Sequence, residues 1–242
     1  MVITKKAVDS EYYKNKTRQL LKKLDINYNN VSYYINSFIH KSIVNERPDF
    51  TPKDNERLEF LGDAVLELII TDNLFNDFPE KPEGELTDMR SSIVRGTNLA
   101  NIAIKLNLEE HLLLGKGEEL SGGRNNNYLL ANLVEAFLGA IYTDLGYDTA
   151  CDFVNKYIYP SLKDITKSNS FKDYKTLVQE LAQSNLDITP HYEVISESGP
   201  DHNKNFVVGV FLGKKKIGEG TGTSKKKAQE EAAKNGYNKI SN

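Results

Sequence analysis

The hydrophobic periodicity of this 242-residue chain changes once along its length, and that change restricts the folds it can adopt. From residue 1 to about 165, apolar residues recur every three or four positions with almost no alternation, which predicts amphipathic helices. A polar stretch, KDITKSNSFKDY, then leads into a helix, three alternating segments and a last helix. The pattern predicts an all-α domain at 1–165, a linker at 166–173 and a small α+β domain (α-β-β-β-α) at 174–242.

Charge is distributed unevenly between these parts, although the whole chain has a net charge of only −3. Residues 171–242 contain 11 Lys and Arg against 9 Asp and Glu, with basic clusters GKKK at 213–216 and SKKK at 224–227. The rest of the chain has 20 basic and 25 acidic residues. An acidic front and a locally basic tail indicate two modules with different partners.

Cellular setting and cofactor class are restricted by what the sequence contains. The segment AVLELII is too short to span a bilayer and the first residues do not resemble a signal peptide, so we expect no membrane partner. One cysteine, Cys151, forms neither an internal disulfide nor a zinc site by itself, which favours a reducing, cytoplasmic setting. The four histidines lack HxxxH and HExxH spacing, which argues against a zinc hydrolase.

The segment NERLEFLGDAVLELII, residues 55–70, combines an apolar helix with a line of carboxylates. At about 100° per residue, the acids lie within roughly 80° of one another on a helix; they are Glu56, Glu59, Asp63 and Glu67. A separate apolar face suited to a core is formed by Leu58, Leu61, Val65, Leu68 and Ile69. Like charges one turn apart destabilise a helix, and Phe60 lies among them, where a solvated face would carry a polar residue. The stripe therefore suggests a metal site next to a protein contact.

A second source of oxygen ligands is the apolar segment LLANLVEAFLGAIY, which contains Asn132 and Glu135 one turn apart. If this helix packs across the first, the two residues converge with Glu59 and Asp63. Oxygen-only ligation suits Mg²⁺, with Mn²⁺ as a substitute. A solvated acidic face and an ion-paired Glu135 are the alternative interpretation.

These segments resemble the ribonuclease III family. NERLEFLGDAVLELII is similar to its signature, and the likeness continues through FIHKS, PEGELTDMRSSIV, LLLGKGEE and VEAFLGAIYTDLG. The last 70 residues, with GPDHNKNF and GEGTGTSKKKAQEEAA, resemble the double-stranded-RNA-binding domain of bacterial-type members. The resemblance implies an all-α nuclease and dimerisation domain followed by an α+β RNA-binding domain.

The resemblance also implies roles for individual residues. It assigns metal binding to Glu59, Asp63 and Glu135, with Asp63 and Glu135 catalytic, and assisting roles to Glu56 and Glu83. The position of Asn132 usually holds Asp, so this chain has one less negative charge among the metal ligands. The resemblance further implies a homodimer, with Phe60 inserted into the partner. The RNA-binding positions that it implies are Thr176, Gln179, His202, Lys225, Lys226 and Lys227.

The activity that the resemblance implies is Mg²⁺-dependent hydrolysis of double-stranded RNA by a cytoplasmic endoribonuclease. The expected products have 5′-phosphate and 3′-hydroxyl ends with short 3′ overhangs, and the expected roles are ribosomal-RNA precursor processing and messenger-RNA turnover. Because Asn132 weakens the expected site, a cleavage-deficient protein that binds duplex RNA is the alternative. A helical phosphohydrolase for small substrates explains the basic C-terminal part poorly.

Overall fold

The structure is a computed structural model, and it describes residues 11–47, 53–167, 174–200 and 204–240. The chain divides into two compact units, Met1–Ser168 and Asn169–Asn242. A short helix, Leu162–Lys167, extends into the first two residues of the predicted linker. Residues 168–173 lie outside the described part of the chain, so the linker at 166–173 stays a prediction.

The first unit is helical, which confirms the predicted fold class. Its helices are α1 (Glu11–Lys23), α2 (Val31–Ser37), α3 (Lys41–Glu46), α4 (Glu56–Asp77), α5 (Glu83–Ile93), α6 (Gly96–Leu106), α7 (Lys116–Leu120), α8 (Asn127–Leu145), α9 (Tyr147–Tyr157) and α10 (Leu162–Lys167). Short 3₁₀ turns occur at Glu109–His111, Gly123–Asn125 and Tyr159–Ser161.

Helix α8 forms the centre of this unit. The ring of Phe137 is fully buried and contacts the rings of Tyr34, Phe38 and Phe153, so α8 joins α2 to α9. Among the described helices, α8 alone is long and apolar enough to be a candidate membrane span, and more than half of that window is buried inside the unit. Packing on α4 and α6 accounts for its apolar sequence.

The segments FIHKS and LLLGKGEE are far apart in sequence but form one joint. The Glu46 carboxylate accepts hydrogen bonds from the backbone N–H groups of Lys116 (2.7 Å) and Gly117 (2.9 Å), at the start of α7. The Gly115 N–H donates to Ser42 Oγ at 2.9 Å, and the Ser42 hydroxyl also contacts His40 Nδ1 at 2.8 Å. These hydrogen bonds fix the position of α3, the helix that begins at Lys41.

The second unit has the predicted order of helix, three strands and helix. Its elements are α11 (Tyr174–Leu186), β1 (His191–Ser198), β2 (Asn205–Leu212), β3 (Lys215–Gly222) and α12 (Lys225–Ile240). The sheet is antiparallel in the order β1-β2-β3, and both helices contribute to its buried core. Val208 and Val210 of β2 are fully buried in that core, which includes Val178 of α11 and Ala232 of α12. The alternation of β2 thus separates a helix-covered face from an open face.

Candidate functional site

The close crossing of α4 and α8 positions the predicted metal ligands. A Cβ at Gly62 would overlap the carbonyl oxygen of Glu135, and one at Gly139 would overlap that of Leu58. The two backbones are therefore in direct contact, which larger residues at these two positions would prevent. Since Asp63 follows Gly62, the crossing brings it beside Glu135.

The electrostatics of Glu135 and Glu59 reflect this proximity. Burial raises the pKa of Glu135 to about 8, and the negative charges of Asp63, Glu59 and Glu67 add to the effect. Burial also raises the pKa of Glu59, with a further contribution from Glu56, whereas a hydrogen bond from Asn132 opposes the rise. The structure thus brings Glu59, Asp63, Asn132 and Glu135 together; their roles as metal ligands stay predictions.

The two ends of the carboxylate stripe are neutralised by cations from other helices. Lys41 Nζ lies 2.8 Å from Glu56 Oε1, and Arg90 Nε lies 2.9 Å from Glu67 Oε2. Neither Asp63 nor Glu135 forms a salt bridge with any residue that the structure describes. Unbalanced negative charge therefore remains at the middle of the stripe, where α8 crosses. Nothing in the sequence of α4 indicated these two cations.

The oxygen donors at the crossing fit a hard divalent cation. Three carboxylates and one amide are the ligand types that Mg²⁺ and Mn²⁺ accept. Over the described ranges, no three His, Cys, Asp or Glu side chains are gathered tightly enough to be ready-made ligands. The negative charges at the crossing disfavour one another's ionised forms, as the raised pKa values of Glu135 and Glu59 indicate. A bound cation would relieve both the repulsion and the raised pKa of Glu135.

Glu83 lies apart from this group in the structure. It is exposed in the first turn of α5 and accepts a hydrogen bond from Thr87 Oγ1 at 2.9 Å. No contact described for it reaches Glu59, Asp63 or Glu135, so its assisting role stays a prediction.

Helix α4 also exposes an apolar stripe, formed by Phe60, Leu68 and Phe75 and lying within about 80° around the helix. Their exposed fractions are 80%, 57% and 69%. The assignment of Leu68 to the core face was wrong: Leu66 and Ile70 are fully buried instead. The sequence was ambiguous here, because an apolar run on both sides of a helix does not show which side faces its neighbours.

The predicted RNA-binding residues occupy two helices of the second unit. Thr176 and Gln179 are exposed on α11, and Lys225, Lys226 and Lys227 are exposed in the first turn of α12. Ser224 precedes α12, and its hydroxyl accepts from the Lys227 N–H at 3.3 Å, as expected of an N-cap. His202 lies outside the described residues. The role of each in RNA binding stays a prediction.

Two family models match the chain in the expected order. A model for Ribonuclease-III-like domains matches residues 32–162, and one for the double-stranded RNA binding motif matches residues 174–240. The first covers more than half of the chain and includes both helices of the crossing. This chain belongs to the ribonuclease III family.

Relatives that match over nearly the whole length carry the same family name. The chain is 43% identical to Ribonuclease 3 of Streptococcus sanguinis, covering 94% of this chain and 97% of that protein. It is 44% identical to Ribonuclease 3 of Leptospira interrogans, covering 98% and 97%. The nuclease domain of ribonuclease III from Campylobacter jejuni has a similar structure, with 34% identity, a TM-score of 0.54 and coverage of 58% and 94%.

Membership of this family confirms the prediction that the protein is an enzyme. As a member of that family, the protein is an endoribonuclease with a C-terminal double-stranded-RNA-binding domain. The Campylobacter jejuni structure is described as showing flexibility in a region involved in dimer formation of that nuclease domain.

Proposed function

We propose that this ribonuclease III cleaves double-stranded RNA at the α4–α8 crossing with a bound Mg²⁺, for which Mn²⁺ can substitute. The observation that supports the proposal is that half-buried Glu135 lies beside Asp63 and Glu59, and that neither Glu135 nor Asp63 forms a salt bridge with a described residue. Glu59, Asp63 and Glu135 would hold the metal through carboxylate oxygens, and Asn132 through its amide oxygen. When bound, Mg²⁺ supplies an activated water and stabilises charge on the leaving oxygen.

Each residue at the crossing contributes a distinct property. The raised pKa of Glu135 keeps a proton on its carboxyl at neutral pH in the metal-free protein, so the residue must release that proton to act as an anionic ligand. Asp63 is exposed, which would leave its carboxylate accessible to both the metal and the RNA. Lys41 holds Glu56 in an ion pair, which limits Glu56 to an assisting role at the rim. We assign Glu83 the same kind of outer role.

The products that follow are 5′-phosphate and 3′-hydroxyl ends with short 3′ overhangs. A homodimer places one site against each strand, and two-fold symmetry then gives staggered cuts. The exposed apolar stripe on α4 supports this assembly, because several large apolar side chains exposed along one side of a helix suit a protein contact. Phe60 would insert into the partner subunit.

Duplex recognition belongs to the C-terminal unit. Thr176, Gln179 and His202 would reach the minor groove, where A-form RNA is read by shape and by 2′-hydroxyl groups. Lys225, Lys226 and Lys227 would contact phosphates, aided by the positive end of the α12 dipole. The biological substrates that we propose are ribosomal-RNA precursors and messenger RNAs in the cytoplasm.

A duplex-binding protein that does not cut is the second candidate, and Asn132 is the residue that favours it. Its amide keeps one oxygen for Mg²⁺ but supplies no charge, and as a donor it hydrogen-bonds Glu59. Fewer anionic ligands weaken Mg²⁺ binding.

One assay separates the two candidates. A long RNA duplex is incubated with the protein and with its Asn132→Asp variant over a Mg²⁺ and Mn²⁺ titration, and the product ends are mapped. Cleavage to staggered 5′-phosphate ends by the natural sequence supports the nuclease. An intact duplex at every metal concentration, together with cleavage by the variant, establishes the binding protein instead.

A further inference from the structure

The three lysines that begin α12 are not equivalent. Lys225 Nζ lies 3.0 Å from Glu197 Oε1 of β1 and is positioned 5.6 Å from the centre of the Phe206 ring. Lys226 and Lys227 form no salt bridge with any other residue in the described ranges. One of the three proposed phosphate contacts is therefore already occupied by a carboxylate of the same chain.

A β-bulge directs Glu197 toward α12. Up to Val194, β1 pairs regularly, and Glu193 lies opposite Gly209 of β2, on the open face of the sheet. The register shifts between Val194 and Ser196, after which Glu197 lies opposite Phe206. Side chains alternate between faces along a strand, so the extra residue moves Glu197 to the opposite face from Glu193.

Phe206 confirms which face that is. Its ring packs against the core formed with α12, as do its β2 neighbours two and four residues further on. Cross-strand partners share a face, so Glu197 lies on the helix side of the sheet, at the start of α12. The Lys225 ammonium group thus lies over the Phe206 ring and pairs with Glu197.

We propose that Glu197 is an intramolecular competitor that occupies Lys225 until an RNA phosphate displaces it. This inference rests on the proposed role of the α12 start in duplex binding. The Glu197 carboxylate and an RNA phosphate are both anions, and they compete for the single ammonium group of Lys225. Glu197 therefore weakens duplex binding. It also reduces the salt dependence of binding. When a phosphate replaces Glu197 on Lys225, the RNA releases a counterion, but the freed Glu197 carboxylate takes one up.

The test measures binding of the full chain to a perfect RNA duplex in EDTA, so that no cleavage occurs, over a series of salt concentrations. We expect Glu197→Gln to tighten binding about two- to fivefold at low salt, the range of a surface ion pair. The slope of log K against log salt becomes steeper by up to about 0.9, the value for one phosphate contact. Unchanged or weaker binding overturns the proposal.

Glu193→Gln is the matched control, because it removes the same charge from the same strand but on the open face. Equal tightening by both variants would show a general charge effect and overturn the proposal. A double-mutant cycle adds Lys225→Gln: the gain from Glu197→Gln must disappear in that background.

Lys226→Ala separates failure of this inference from failure of the proposed RNA surface. If Lys226→Ala weakens binding while Glu197→Gln has no effect, the surface stands and the competitor role is refuted. If neither variant nor Lys225→Gln changes binding, the start of α12 does not bind RNA and both proposals fail.

Discussion

Replacing Glu135 with Gln tests the electrostatics of the crossing most directly. The pKa of this carboxyl rises from 4.5 to about 8 on folding, mainly because of burial and then because of Asp63 and Glu59. At about 1.4 kcal/mol for each tenfold change in proton affinity, the full difference is roughly 4 to 5 kcal/mol. Because Glu135 is only half-buried and solvent screens it, we expect about 2 kcal/mol.

The sign follows from proton binding in the two states. Above pH 4.5 the unfolded chain releases the proton of Glu135, whereas the folded protein keeps it until about pH 8. The metal-free protein therefore loses stability as pH rises through this window. Gln cannot ionise, so Glu135→Gln should match the natural sequence at pH 5 and exceed its free energy of unfolding by about 2 kcal/mol near pH 8.

The assay is urea denaturation in EDTA at pH 5 and pH 8, followed by a signal from the helical unit. Glu80→Gln, at an exposed carboxylate, is the control and should show no pH-dependent difference. Added Mg²⁺ should stabilise the natural sequence more than Glu135→Gln, because the variant has lost a ligand. An equal gap between variant and natural sequence at both pH values would refute this account of the site.

Three further outcomes are expected. Gly62→Ala should destabilise the helical unit by roughly 3 kcal/mol in urea, because its methyl group meets the Glu135 carbonyl oxygen, whereas Gly84→Ala in open space should not. Phe60→Ala should weaken self-association in sedimentation experiments at least about tenfold, with Tyr12→Ala, at an exposed aromatic residue of α1, as control. An unchanged mass would contradict the stripe's role. Asn132→Asp should lower the free energy of unfolding of the metal-free protein near pH 8 by about 1–2 kcal/mol, because the hydrogen bond to Glu59 is lost. Added Mg²⁺ should restore the stability of the variant. A variant that is more stable than the natural sequence in EDTA would refute this expectation.

Much of the fold was predictable because it depends on local patterns. Helical spacing before residue 165 and alternation after 190 are repeated many times, so errors at single positions do not change the fold class. The packing of α8 across α4 was considered only as a condition, under which the oxygen-bearing residues of the two apolar helices would converge, and the structure shows that packing. The family motifs then supported the same residues.

Single-residue environments were less predictable. Leu68 was placed in the core because it fits the apolar spacing of α4, yet it belongs to the exposed stripe. A helix with apolar residues on two sides has two possible buried faces, and only its neighbours determine which is covered. The β-bulge that turns Glu197 toward Lys225 was also not predictable from the sequence, because one extra residue in a strand leaves no clear sequence signal.

The sequence by itself determined the two-part architecture, the helix carrying the acids and the chemical types of the candidate ligands, since these follow from periodicity and residue identity. Only the tertiary structure decided which acids keep their charge unbalanced. Lys41 and Arg90 come from the helices immediately before and after α4 and neutralise the two ends of the stripe. The Gly62–Gly139 contact then buries Glu135 against its middle. Both the ion pairs and the burial depend on how separate helices pack on α4, so the spacing of residues within α4 does not locate this charge.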